Sequence, residues 1–459
     1  VSGVDETWRG PLGAPTSDGA ALLERLRALP GGGELIEVAT ANRRSASGGV
    51  ELVGGAVRDL MLGTPPRELD AVVPWQAVDA GRERTPSDAP PAGVEALARE
   101  LAARLGGEAR VHERFGTALV TAPAASIDLA SMRTERYERP GALPQVSPGT
   151  PEQDLQRRDF TVNAIALGLA GEDAGRLRAA PGALEDLAAR RLRVLHEQSF
   201  LEDPTRILRM ARYAVRLGFE VEPHTAELAR QALAAGALAT VSGARLGAEL
   251  RLAFTEPCAV EVLAELDRLG VLSAWEPGVS FDEHVVRVAV EILPEDGSRP
   301  VLFAAALLLA LAGQLDAEDT EAKMREFVSD LQLPAGVGER VFGAAVSACF
   351  AIDSVDEAGT TPDMLELTDG TPIESLALAA AVRDLEDGPG SYGRTLIEDW
   401  LREQRHVALQ VTGDDLIAAG VPEGPEVGLR LEESYRMLLE ERIQPGRESE
   451  LRAALEAKL

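Results

Sequence analysis

At 459 residues, 45% of them hydrophobic, the chain is long enough for two to four domains with cores of their own. Two cysteines, Cys258 and Cys349, exclude a disulfide framework and a thiolate metal cluster and point to a reducing, cytoplasmic setting; the longest apolar run, 301–312, is shorter than the roughly 20 residues of a membrane span, and the N-terminus has no signal pattern. The net charge of −29 argues against a simple polyanion binder, yet it is uneven: residues 252–459 hold 16 Lys and Arg against 41 Asp and Glu, while residues 1–251 hold 30 against 34.

Residues 1–33 are rich in Gly, Ala and Pro with little periodicity, which predicts a loose extension. An apolar run at 50–53 reads as a strand arriving at Gly54 and Gly55. Val57, Leu60 and Met61 then recur at helical spacing until Gly63, Pro65 and Pro66 stop the pattern. A strand, a glycine turn and a helix start together offer free N–H groups to a phosphate. In the next strand, 68–73, Glu68 and Asp70 share a face, and two carboxylates beside a phosphate cradle suit a divalent metal and nucleotidyl transfer. Taken singly, each feature has a plain reading, an ordinary turn and a solvated acidic face.

Prolines 74, 86, 90 and 91 mark a flexible insertion at about 74–93. A helix over 94–105 and strands at 109–112, 117–122 and 126–132 follow, the last carrying Asp128 and leading to Arg133. Residues 139–151 read as a loop, and a further strand is expected at 192–195. The clearest helix spans 202–218, with Asp203 as cap, Pro204 as first residue and Gly218 as stop. Its residues Arg206, Arg209, Arg212 and Arg216 lie within an arc of about 120 degrees, which on its own reads as a solvated arginine stripe. From 257 onward, apolar spacing of three and four predicts helices at 260–269, 284–293, 301–312, 338–350 and 374–384.

The stretch GGAVRDLMLGTPPRELD, 54–70, resembles the head motif GGxVRDxLLGxxxxDxD of the class II tRNA nucleotidyltransferases and bacterial poly(A) polymerases, with Glu68 in place of the first Asp. RRDFTVNA, 157–164, is similar to the family's RRDFTxNA at every fixed position, and EDPTR, 202–206, resembles its EDxxR element. Residues 242–250 resemble the neck element ERIxxEL, with Arg245 and Glu249 matching and Ala244 replacing the acid; residues 413–428 resemble an element of the tail.

The resemblance implies an α+β fold: a polymerase-beta-like nucleotidyltransferase head with a small mixed sheet over 34–198, then a helical neck at 199–256, a helical body at 257–410 and a tail at 411–459. It implies template-independent addition of C and/or A to the tRNA 3' end from CTP and ATP. Glu68 and Asp70 would be catalytic and hold two Mg2+ ions, or Mn2+, with Asp128 either a third ligand or a polar edge-strand residue. Gly54, Gly55, Arg58, Arg157 and Arg158 would hold the triphosphate, Asp159 and Asn163 the ribose and nucleotide, and Arg133, Arg209, Arg212 and Arg245 the RNA. Asp203 and Arg206 would read the base, because cytosine and adenine both present an amino donor beside a ring-nitrogen acceptor. Full CCA addition, CC-only or A-only addition, poly(A) synthesis and a catalytically inactive RNA-binding relative all stay open. Related chains often carry a phosphohydrolase module in the body, but here there is no His-Asp dipeptide and the five histidines are scattered.

Overall fold

The computed structural model describes residues 14–41, 49–75, 92–112, 116–312, 317–355 and 361–457. The chain divides into two compact units, one ending at Val241 and one beginning at Ser242, a boundary that falls inside the segment expected as the neck.

The first unit opens with α1 (Gly19–Arg27) and α2 (Gly32–Ala41), where a loose extension to residue 33 was expected. The Asp18 carboxylate accepts the N–H groups of Ala20 and Ala21, and Leu22 and Leu26, one turn apart, are fully buried. Two leucines four apart are too short a pattern to stand out in sequence, but they suffice to fix a helix packed on its neighbours. Residues 1–13 of the expected extension lie outside the described residues.

There follow β1 (Glu51–Val53), α3 (Gly55–Leu62), β2 (Leu69–Val73), α4 (Ala92–Leu105), β3 (Glu108–His112), β4 (Thr117–Ala122) and β5 (Ala125–Ser131). Of the expected insertion at 74–93, residues 76–91 lie outside the described residues. Next come β6 (Arg133–Arg136), β7 (Gln145–Pro148), α5 (Pro151–Gln156), β8 (Ile165–Gly168), β9 (Leu177–Ala179) and α6 (Ala183–Ala188). The unit ends with β10 (Arg191–Leu192), α7 (Ser199–Glu202), α8 (Thr205–Leu217), β11 (Glu220–Val221) and α9 (Pro223–Ala234).

Seven strands form one mixed sheet in the order β3-β4-β5-β2-β1-β8-β9, antiparallel throughout except for the pair β2 and β5. In that parallel pair Leu69 lies opposite Ile127, Asp70 opposite Asp128 and Ala71 opposite Leu129. Strand alternation puts the buried Leu69, Ala71, Ile127 and Leu129 on one face and the two aspartates on the other. The pattern that makes the core therefore also sets the carboxylates side by side.

Three local expectations change. Within the expected loop 139–151, residues 145–148 form β7, which pairs antiparallel with β6; Pro148, which has no N–H to give, sits at the strand end. The strand expected at 192–195 is reduced to β10, paired with β11, and an isolated bridge between Phe160 and Val194. The helix expected over 202–218 is α8, with Asp203 extended ahead of it as a cap requires; the change is at its start, where Glu202 belongs to the separate short helix α7. The residue before a proline is driven out of the helical region, and Asp203 precedes Pro204. Gly218 does close α8, in the left-handed region.

Among the described residues the second unit is helical. The apolar helix Arg299–Ala312 packs against Val337–Ser354 and Ile373–Asp387, and Leu302, Leu307, Leu308 and Leu311 are fully buried there. In the tail, Leu416, Val421 and Ala454 make a small core beside a buried Glu450, whose carboxylate accepts the N–H groups of Gln410, Val411 and Gly446. No helix among the described residues is long and apolar enough to cross a membrane.

Candidate active site

Glu68, which immediately precedes β2, joins Asp70 and Asp128: each offers a carboxylate oxygen, and all three oxygens lie within 4.8 Å of one another. Glu68 is exposed and the two aspartates are half-buried. Burial and the neighbouring charge of Glu68 push Asp70 up from 3.8 to about 6, with Asp128 adding to the rise and Arg158 opposing it. Asp128 is raised as well, by burial and then by Glu68. Three mutually repelling hard oxygen donors on one sheet face fit an oxygen-seeking divalent cation, whose charge relieves the repulsion. Among the described residues this is the one such group of three or more ligands.

The glycine turn lies between β1 and α3. Gly54 caps α3 with φ of 71°, a left-handed value that favours glycine, and its N–H donates to the Ile165 carbonyl at 3.0 Å. A Cβ at Gly54 would stand 2.8 Å from Nη1 of Arg158. The turn therefore needs glycine both for its backbone and for the guanidinium that closes on it. Gly55 opens α3, whose first N–H groups have no partner within the helix ladder.

Arg157 and Arg158 follow directly on α5 and share the buried Asp154. Arg158 Nη2 donates to one carboxylate oxygen at 3.0 Å and Arg157 Nε to the other at 2.9 Å. Burial raises Asp154, but the two guanidiniums outweigh it and the group ends below its ordinary value. Arg157 also donates to Glu135 at 3.0 Å, as Arg133 does at 3.1 Å, so both are braced inside the unit. Arg158 is the member of the pair that reaches the glycine turn, and among the described residues its buried Nε has no hydrogen-bond partner. Neither Asp154 nor Glu135 is among the site residues expected from the sequence. An acid three and four residues before two arginines was the available signal for Asp154.

A second network lies behind the turn. Arg58, buried within α3, donates to Asn163 Oδ1 at 2.5 Å and to Asp59 at 2.8 Å, and Asn163 Nδ2 donates to Asp159 at 2.9 Å. The other Asp159 oxygen takes two bonds from Arg209, at 2.8 and 2.6 Å. Burial alone would raise Asp159, but Arg209 and Asn163 hold it far below the ordinary carboxylate range. Arg58, Arg209 and Arg212 surround the Tyr213 ring at 5.3, 5.4 and 4.9 Å. Here the arginine stripe departs from a solvated face: Arg206 and Arg212 are buried and Arg209 is half-buried, because α8 lays that face against the head.

At the start of α8 the Asp203 carboxylate accepts the N–H and hydroxyl of Thr205 at 3.2 and 2.6 Å. Arg206 donates through Nη1 to Ser199 Oγ at 2.7 Å and through Nη2 to the Arg157 carbonyl at 2.9 Å. Arg206 of the expected base-reading pair is thus tied directly to the RRDF stretch. Arg245 lies on the helix Gly243–Phe254 of the second unit.

The family described as poly A polymerase head domain matches residues 50–193. The CC-adding tRNA nucleotidyltransferase of Deinococcus radiodurans is 35% identical over 383 residues, covering 83% of this chain and 82% of the relative. The A-adding enzyme of Geobacter sulfurreducens is 30% identical over 400 residues, and that of Aquifex aeolicus 34% over 295; the chain spans only 41% and 33% of their lengths. A solved CCA-adding enzyme in an apo form shares the fold, with a TM-score of 0.75 at 24% identity over 96% of this chain and 99% of that one. With a near full-length relative at this identity and its motifs in place, the chain belongs to the class II tRNA nucleotidyltransferase family.

Proposed function

We propose that this protein adds C residues, A residues or both to the 3' end of tRNA, taking them from CTP and ATP without a nucleic-acid template. The observation that carries the reading is the carboxylate group of Glu68, Asp70 and Asp128, set on the same head as the Gly54 turn that Arg158 closes. Relatives named for A-adding, CC-adding and CCA activities support it.

In the reaction the tRNA 3' hydroxyl gives up its proton to solvent, its oxygen forms a bond to the α-phosphorus, and the bond from that phosphorus to the bridging oxygen breaks to release pyrophosphate. Glu68, Asp70 and Asp128 would hold Mg2+ or Mn2+, which would supply Lewis acidity for the attack. The N-terminus of α3 and Arg158 bind the triphosphate, with the buried Nε of Arg158 as a donor ready for a phosphate oxygen. Arg58 and Asn163 fix the turn from behind, and Asp159 holds Asn163 and Arg209 in place. Asp203 accepts from the amino group of cytosine or adenine while Arg206 donates to the ring nitrogen. Uracil and guanine present the opposite order. The free thiols of Cys258 and Cys349 suit a reducing cytoplasm.

Glu68 carries one methylene more than the Asp it replaces, yet its carboxylate reaches the group, which favours an enzyme over an inert binder. The test is incubation of the purified protein with labelled CTP or ATP and tRNA transcripts lacking A, CA or CCA. Product length separates full CCA addition, CC-only addition, A-only addition and a poly(A) tail. Absence of incorporation on every transcript, with either metal, contradicts the proposal.

A further inference from the structure

We infer that Ser199 is a positioning residue for base selection, acting through Arg206; this rests on the proposed reading of Asp203 and Arg206 as the base-reading pair. Ser199 is the first residue of α7 and is completely buried. It holds both members of the pair. Its Oγ accepts from Arg206 Nη1 at 2.7 Å, and its backbone carbonyl accepts the Asp203 N–H at 3.2 Å.

A serine at the start of a helix ordinarily turns its hydroxyl back on the N–H groups of its own first turn. Ser199 makes no such cap, since the residue in the capping position is Gln198 and the Ser199 hydroxyl goes to an arginine seven residues away. Arg206 is fastened from a second side, where Nη2 donates to the Arg157 carbonyl at 2.9 Å, and its own N–H donates to the Asp203 carbonyl at 3.1 Å. A guanidinium is a rigid planar fork, so fixing both terminal nitrogens fixes the direction of its remaining donors.

Selection between bases depends on that direction. A donor aimed at a ring nitrogen rewards cytosine and adenine; a guanidinium free to swing can follow a neighbouring carbonyl oxygen and accept uracil or guanine. Ser199 therefore supplies the fixed side of the fork, and the Arg157 carbonyl ties the fork to the triphosphate-side motif.

The test compares wild type, Ser199→Ala, Ser199→Cys and Arg206→Ala for kcat/KM with ATP, CTP, UTP and GTP on a tRNA transcript, together with equilibrium binding of the four nucleotides, which gives the same selectivity independently of turnover. Ser199→Ala removes a single oxygen, and the preference for ATP and CTP falls about tenfold, the scale of one lost hydrogen bond to a charged group. Ser199→Cys, nearly the same shape with a weak acceptor, falls between. A double variant with Arg206→Ala is no less selective than Arg206→Ala alone. Unchanged selectivity in Ser199→Ala, or an equal loss for all four nucleotides, overturns the inference. If Arg206→Ala destroys selectivity while Ser199→Ala keeps it, Ser199 alone is misassigned; if Arg206→Ala also keeps it, the base-reading assignment itself fails.

Discussion

Asp70 and Asp128 lie directly opposite one another on the parallel strands β2 and β5, and with Glu68 they bring three carboxylate oxygens within 4.8 Å. That register places Asp128 beside the proposed metal ligands Glu68 and Asp70, so both aspartates are tested by mutation. Asp70→Asn abolishes incorporation while leaving tRNA binding intact. Asp128→Asn keeps measurable activity but needs more metal to reach it, because one carboxylate donor and one negative charge are gone from the group. Metal titrations of the two variants check this; full activity in Asp70→Asn at wild-type metal concentration contradicts it.

The raised value of Asp70 gives a pH signature. An acid lifted in the fold from 3.8 to about 6 is one whose ionised form the metal-free fold disfavours. The penalty is absent below the unfolded value, grows between the two values and is complete above about 6. A divalent cation offsets it only where Asp70 is ionised. Thermal melts therefore show a larger stabilisation by Mg2+ or Mn2+ at pH 7.5 than at pH 5, and equal shifts at both pH values contradict the account.

Gly54→Ala should cost stability and nucleotide affinity together. At φ 71° and ψ −136° the backbone is in a region that residues with a Cβ rarely adopt, at a cost of about 1–3 kcal/mol for alanine. Its Cβ, at 2.8 Å from Arg158 Nη1, also pushes aside the guanidinium that closes the turn. Denaturant titration and KM for ATP check the two effects, and a destabilised variant with an unchanged KM removes Arg158 from the triphosphate site.

Arg209→Ala distinguishes an internal ion pair from an RNA contact. With Arg209 gone, the buried Asp159 carboxylate loses its principal partner, and the variant is less stable than wild type. Because Asp159 is depressed in the fold, the pair's contribution is complete above the ordinary carboxylate value and is lost as the pH falls from there towards the far lower value in the fold. The variant's deficit in stability is thus larger at pH 7 than in acid. Wild-type stability with weakened tRNA binding would instead make Arg209 an RNA contact.

The residues of the site were legible in sequence wherever several of them sit in one short motif. Gly54, Arg58 and Asp70 stand in one such stretch, and Arg158, Asp159 and Asn163 in another. Their mutual arrangement was not. The facing of Asp70 and Asp128 depends on a parallel pairing across an intervening helix and two strands, which no local periodicity encodes. The arginines of α8 showed their spacing but not their direction, because a stripe looks the same whether it meets water or the carboxylate of Asp159. The extended Asp203 was legible as the cap before Pro204, whereas α1 escaped notice because two leucines and one capping aspartate make a weak pattern until burial is known.

The central claim is selective, untemplated transfer at the Glu68, Asp70 and Asp128 group, and the most direct measurement is label incorporation from each of the four nucleoside triphosphates into a tRNA transcript with a shortened 3' end, for wild type and for Asp70→Asn. The account predicts incorporation of C, A or both by the wild-type protein, none of U or G, and none of any nucleotide by Asp70→Asn. No incorporation by the wild-type protein with Mg2+ or Mn2+, or equal incorporation by Asp70→Asn, would contradict it.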